Sequence, residues 1–126
     1  MNEDGLASLL NTYEKSPHFE VEVKKFDDIF RNENIDLIKM DVEGSEIRII
    51  RGMLQYLHDH KNVEIIMEWN PTYRNEEDFI FISKIFDVYY MLYNNNKTIL
   101  IKIKDYENVS FAFFNMILKP KTVDSN

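Results

Sequence analysis

The run Ile35-Asp-Leu-Ile-Lys-Met-Asp-Val-Glu-Gly-Ser-Glu46 limits most sharply what this chain can fold into. Ile35 to Met40 is nearly continuous apolar sequence, interrupted by Asp36 and Lys39, as expected of a buried parallel strand covered on both faces. From Glu43 onward the period changes, and Ile47, Ile50, Met53, Leu54 and Leu57 make one helical stripe. Strand, turn and helix therefore follow one another with acids at the junction. In an open α/β sheet ligands bind beyond the carboxyl ends of the strands, so Asp41 and Glu43 are candidate site residues.

The same unit repeats downstream. Val63 to Trp69 reads as a second strand whose carboxyl end carries Glu68 and Asn70 before Pro71, and Glu76 to Phe86 as a helix capped by Asn75. Two successive strands thus present polar groups at one sheet edge, in the β-α-β-α order of parallel strands. Upstream, Phe19, Val21 and Val23 alternate with Glu20, Glu22 and Lys24, which predicts a strand, and Phe26 to Phe30 predicts one helical turn with Asp27 as N-cap. Residues 1–18 read as a lead-in. Val88 to Tyr93 and Thr98 to Ile103 predict a hairpin about Asn94-Asn-Asn-Lys97, because asparagine tolerates positive φ. Phe111 to Leu118 predicts a last strand, and 121–126 a frayed tail.

Composition narrows the functional classes. A chain of 126 residues with 44% hydrophobic content is one globular domain or part of one. A net charge of -7 argues against a surface that tracks nucleic-acid phosphates. The lack of cysteine excludes disulfides, thiolate zinc sites and cysteine nucleophiles. The acidic start has no signal-peptide pattern and no segment reaches a bilayer-spanning length, so a soluble, cytoplasmic protein without membrane contact is expected.

Taken in order and spacing, Phe26-Asp-Asp-Ile, the twelve residues Ile35 to Glu46, Ile50-Arg-Gly-Met53 and Ile66-Met-Glu68 resemble the C-terminal half of FkbM-family methyltransferases. The resemblance covers roughly residues 19–120. It implies the C-terminal half of a Rossmann-like class I methyltransferase α/β sheet, ending in an antiparallel β-hairpin. Residues 19–25, 35–41 and 63–69 would correspond to the third, fourth and fifth strands of that sheet. It further implies S-adenosylmethionine as cofactor and a hydroxyl of a sugar or small molecule as acceptor. By the same resemblance Asp41 lies beside cofactor or acceptor, Asp41 or Glu43 is the catalytic base, and Glu68 and Asn70 contact substrate.

The chain also departs from that family's pattern. Its three glycines are Gly5, Gly44 and Gly52, so the Gly-x-Gly turn that lets backbone approach the cofactor is missing. The strands that would flank Ile35 to Asp41 on its open side are missing with it, which leaves an apolar edge for another chain, an N-terminal half or residues 1–25 to cover. Enzymatic status therefore stays open. One reading is an O-methyltransferase completed by a further segment; the other is a catalytically inactive α/β module that binds a partner or forms a homo-oligomer.

Each candidate has a plainer alternative. Asp41 can cap the following helix, and Glu43 can sit in the first turn for the helix dipole alone. Asp41, Glu43, Glu46 and Glu68 together suit a hard divalent cation, although no regular ligand loop is present and no metal is expected. His58 and His60 fit solvated residues at a helix end better than ligands. Trp69 with Tyr73 reads as core packing more readily than as a substrate wall.

Overall fold

A computed structural model describes residues 19–111 and 113–121; the 1–18 lead-in and nearly all of the tail lie outside this range. Five strands form one mixed sheet in the order β1-β2-β5-β3-β4, with β1 Leu37–Met40, β2 Glu64–Trp69, β3 Phe86–Asn94, β4 Lys97–Ile103 and β5 Phe114–Pro120. The helices are α1 Phe26–Phe30, α2 Glu46–Arg51, α3 Leu54–Asp59 and α4 Glu76–Ile85, and a 3-10 turn spans Tyr106–Asn108. β1 and β2 pair in parallel, whereas β5 is antiparallel to both β2 and β3. The unit β2-α4-β3 therefore skips one position, and β5 fills it.

The register shows why the sheet has one dry face. Ile65, Met67 and Trp69 pair with Leu118, Met116 and Phe114, and Val88 lies beside both Leu118 and Ile103. All of these are buried, and they join Ile47, Ile50, Met53, Tyr56, Leu57, Phe79 and Ile82 from the helices in a single cluster. The opposite face alternates half-exposed apolar residues with ion pairs, Lys119 with Glu64 at 3.7 Å and Lys102 with Asp87 at 3.5 Å. Exposed pairs of this kind contribute little stability, but they keep a water-facing sheet polar.

Local chemistry fixes several elements as expected. Asn75 caps α4 through a reciprocal pair: its side chain accepts from the Asp78 amide at 3.0 Å, and the Asp78 carboxylate accepts from the Asn75 amide at 3.1 Å. The hairpin turns on Asn95 and Asn96, with φ of 51° and 60°, the left-handed pair that a two-residue turn of this twist requires.

Other expectations are corrected. The 19–25 segment is not a strand and pairs with none among the described residues, because alternation specifies a strand's faces and not its neighbour. The stripe from Ile47 to Leu57 is two helices, broken at Gly52 and Met53, and the break turns Leu54 outward and Tyr56 inward. The break also explains Asp27, which does not cap α1. Its carboxylate instead accepts from the exposed first amides of α3, Gln55 at 3.1 Å and Tyr56 at 2.8 Å. The strand of the motif is an edge, not a centre: of its four residues only Met40 is buried. Finally, the last of the described strands enters mid-sheet, while the β3-β4 hairpin supplies the far edge.

Candidate functional site

The turn after β1 is built by two consecutive left-handed residues, Glu43 at φ 47° and Gly44 at φ 106°. A non-glycine residue in that region is strained, so something must hold it. Glu46, the first residue of α2, does so from below. Its carboxylate accepts from the Val42 amide at 3.3 Å and the Gly44 amide at 3.1 Å, closing the turn on itself. These amides would otherwise be unpaired at a helix start.

The Glu46 carboxylate is itself buried, which demands a counter-charge. Arg74, five residues past the end of β2, supplies it: the guanidinium is ion-paired to Glu46, and each side chain is about 3% exposed. Arg74 Nη1 also donates to the Gly44 carbonyl at 3.2 Å and to the Tyr73 carbonyl at 3.1 Å. The Tyr73 ring lies over Gly44, where an added Cβ would meet it at 3.3 Å. One ion pair thus ties the segment after β2 to the turn after β1. Arg74 was not foreseen from sequence; the only signal was a lone basic residue just past a strand whose neighbour ends in acids.

The predicted site residues divide around this clamp. Asp41 and Glu43 are exposed, and among the described residues no hydrogen bond or ion pair engages either carboxylate. Met40 pairs with Met67, so Asp41 and Glu68 stand level at the carboxyl ends of β1 and β2. Glu68 is half-buried. Asn70 builds the next turn, its side-chain oxygen accepting from the Thr72 amide at 3.0 Å. The strand ends therefore bring Asp41 and Glu68 to one rim, with Glu43 on the adjoining turn.

Glu46 leaves the notional cation cluster, because its carboxylate faces inward onto amides and a guanidinium. No group of three or more metal-binding side chains forms among the described residues. His58 pairs with Asp59 at 3.2 Å in solvent, and this contact, with Gln55, holds the Asp59 carboxyl below its ordinary range. His60 stacks on Tyr56 with centroids 3.8 Å apart. Trp69 is core, its indole donating to the Val109 carbonyl at 3.0 Å, while Tyr73 is exposed. Two cavities among the described residues lie away from the rim. One of about 230 Å³ sits near Leu57, His60, Phe86 and Pro120, and the other, of about 370 Å³, lies along α1.

S-adenosylmethionine needs a cradle of closely approaching backbone, usually glycine-rich. The described glycines do not fit that role: Gly44 is covered by the Tyr73 ring and Gly52 by the Lys25 side chain. The rim presents carboxylates that can accept hydrogen bonds and an amide that can donate one, and the described glycines supply no cradle for the cofactor. No helix among them is long and apolar enough to cross a membrane.

No curated protein and no solved structure matches the chain. The methyltransferase FkbM domain matches residues 2–106, a span that contains β1, the clamped turn and β2. Most of the sequence is covered, and the chain belongs to the FkbM methyltransferase family.

Proposed function

We propose that the protein serves S-adenosylmethionine-dependent O-methylation of a sugar or small-molecule hydroxyl, and that its rim forms the acceptor side of the site. The observation that carries this reading is the exposed Asp41 carboxylate, unengaged among the described residues, beside a turn held by Glu46 and Arg74. Alkylating an alcohol requires the hydroxyl to be oriented and its proton removed, and a positioned carboxylate can do both. Asp41 is the base, Glu43 the nearest substitute for it, and Glu68 and Asn70 orient the acceptor. The cofactor is held by residues outside the described set.

The test is transfer of labelled methyl from S-adenosylmethionine to a panel of sugar and small-molecule alcohols, with Asp41→Asn alongside. Labelled ether products that fall about 100-fold or more in the variant are expected. Transfer that is unchanged in Asp41→Asn removes the assignment of the base, and failure of every alcohol removes the acceptor class. A second reading, an oligomerising α/β module without catalysis, is favoured by one observation: the outer edge of β1 is unpaired among the described residues.

A further inference from the structure

Gly44 and Tyr73 meet in a way that fixes an aromatic ring and leaves one of its faces free. A Cβ built on Gly44 would lie 3.3, 3.4 and 3.5 Å from Cγ, Cδ1 and Cδ2 of Tyr73. Near-equal distances to three ring carbons place Gly44 over the face of the ring, because an approach within the ring plane would set one of the three well behind the others. The residue is nevertheless 54% exposed, so the opposite face looks outward. Its hydroxyl makes no hydrogen bond among the described residues. Arg74, next in the chain, donates to the Gly44 and Tyr73 carbonyls and holds the two turns at this spacing. A ring placed before any ligand arrives loses little freedom on contact.

The charges beside that ring are of one sign. Asp41 and Glu43 lead into Gly44, Glu68 and Asn70 precede Tyr73, and residues 41–45 and 68–73 contain no Lys or Arg. The first cation past them, Arg74, is buried against Glu46. An anionic acceptor would therefore meet carboxylates with no cation to offset them, whereas hydroxyl groups would find acceptors. The face of a tyrosine is electron-rich and suits the C–H groups of a saturated ring. A single ring does not make the aromatic cage that quaternary cations occupy.

We infer that Tyr73 determines acceptor specificity: the C–H face of an uncharged six-membered sugar ring stacks on its free face, while the sugar hydroxyls reach the rim carboxylates. This rests on the reading of the rim as the acceptor side of the site, and it narrows the acceptor from any alcohol to a neutral pyranose. Open-chain polyols present no comparable C–H face. Sugar phosphates bring a charge that the rim repels.

The test is binding to the intact protein, followed by saturation-transfer NMR with methyl glucopyranoside, methyl galactopyranoside, sorbitol, glucose 6-phosphate and tetramethylammonium as probes. At least one pyranoside should bind with millimolar affinity and receive saturation mainly on the protons of one ring face, and the other three probes should bind about tenfold more weakly. Tyr73→Phe should keep the affinity within about twofold, because the hydroxyl has no partner to lose. Tyr73→Leu, which still covers Gly44 but has no aromatic face, should weaken it about tenfold while melting as the unmodified protein does. Equal binding of sorbitol, tighter binding of the phosphate or the cation, unchanged affinity in Tyr73→Leu, or silence of both pyranosides each overturns the inference. The same proteins assayed for methyl transfer separate the two readings. Pyranosides held through Tyr73 but never methylated leave this inference standing and remove the reaction, and alcohols methylated equally well by Tyr73→Leu do the reverse.

Discussion

The turn at residues 41–46 and the segment at 19–25 are both short and rich in charge, yet among the described residues only the turn is tied down by side-chain hydrogen bonds from elsewhere in the fold. In the turn, two left-handed residues are held by three hydrogen bonds and a buried ion pair drawn from another part of the chain. In the segment, three large apolar side chains face solvent. A functional carboxylate needs the first condition, because an exposed acid is useful only when its backbone is fixed.

The contrast is broken most severely at Glu46. Glu46→Ala leaves the Arg74 charge buried without its partner, and urea unfolding should show a loss of about 3–5 kcal/mol. The Val42 and Gly44 amides should lose hydrogen-exchange protection at the same time. Gly44→Ala comes next. At φ 106° and under the Tyr73 ring it should cost about 1–3 kcal/mol, and full stability there would show that the turn is looser than described. Asn75→Ala removes one side of the α4 capping box just after Arg74, and thermal unfolding should report about 1 kcal/mol. Val21→Thr, at an exposed side chain, should change stability by no more than about 0.5 kcal/mol. A loss above that shows the segment to be packed within its own copy.

Features whose causes lie within a few residues were legible in the sequence. The strand-turn-helix at Asp41, the Asn75 cap and the Asn95-Asn96 turn each follow from local hydrogen bonding and backbone preference. The placement of Asp41 and Glu68 at one rim also followed, from consecutive parallel strands. What escaped depends on distant partners. Arg74 lies 28 residues from Glu46, and nothing nearby marks it as buried. Asp27 caps a helix that begins only because Gly52 and Met53 interrupt the apolar stripe. The 19–25 alternation predicted a strand that does not form among the described residues, because pairing is a property of the whole sheet and periodicity carries no information about it.

The insertion of β5 between β2 and β3 has a consequence for biosynthesis. Until Phe114 to Pro120 leaves the ribosome, the two blocks of sheet have no shared strand, and each presents a raw edge to the cell. The two blocks can join only once that late strand is available, which predicts slow maturation and dependence on holding chaperones until it emerges.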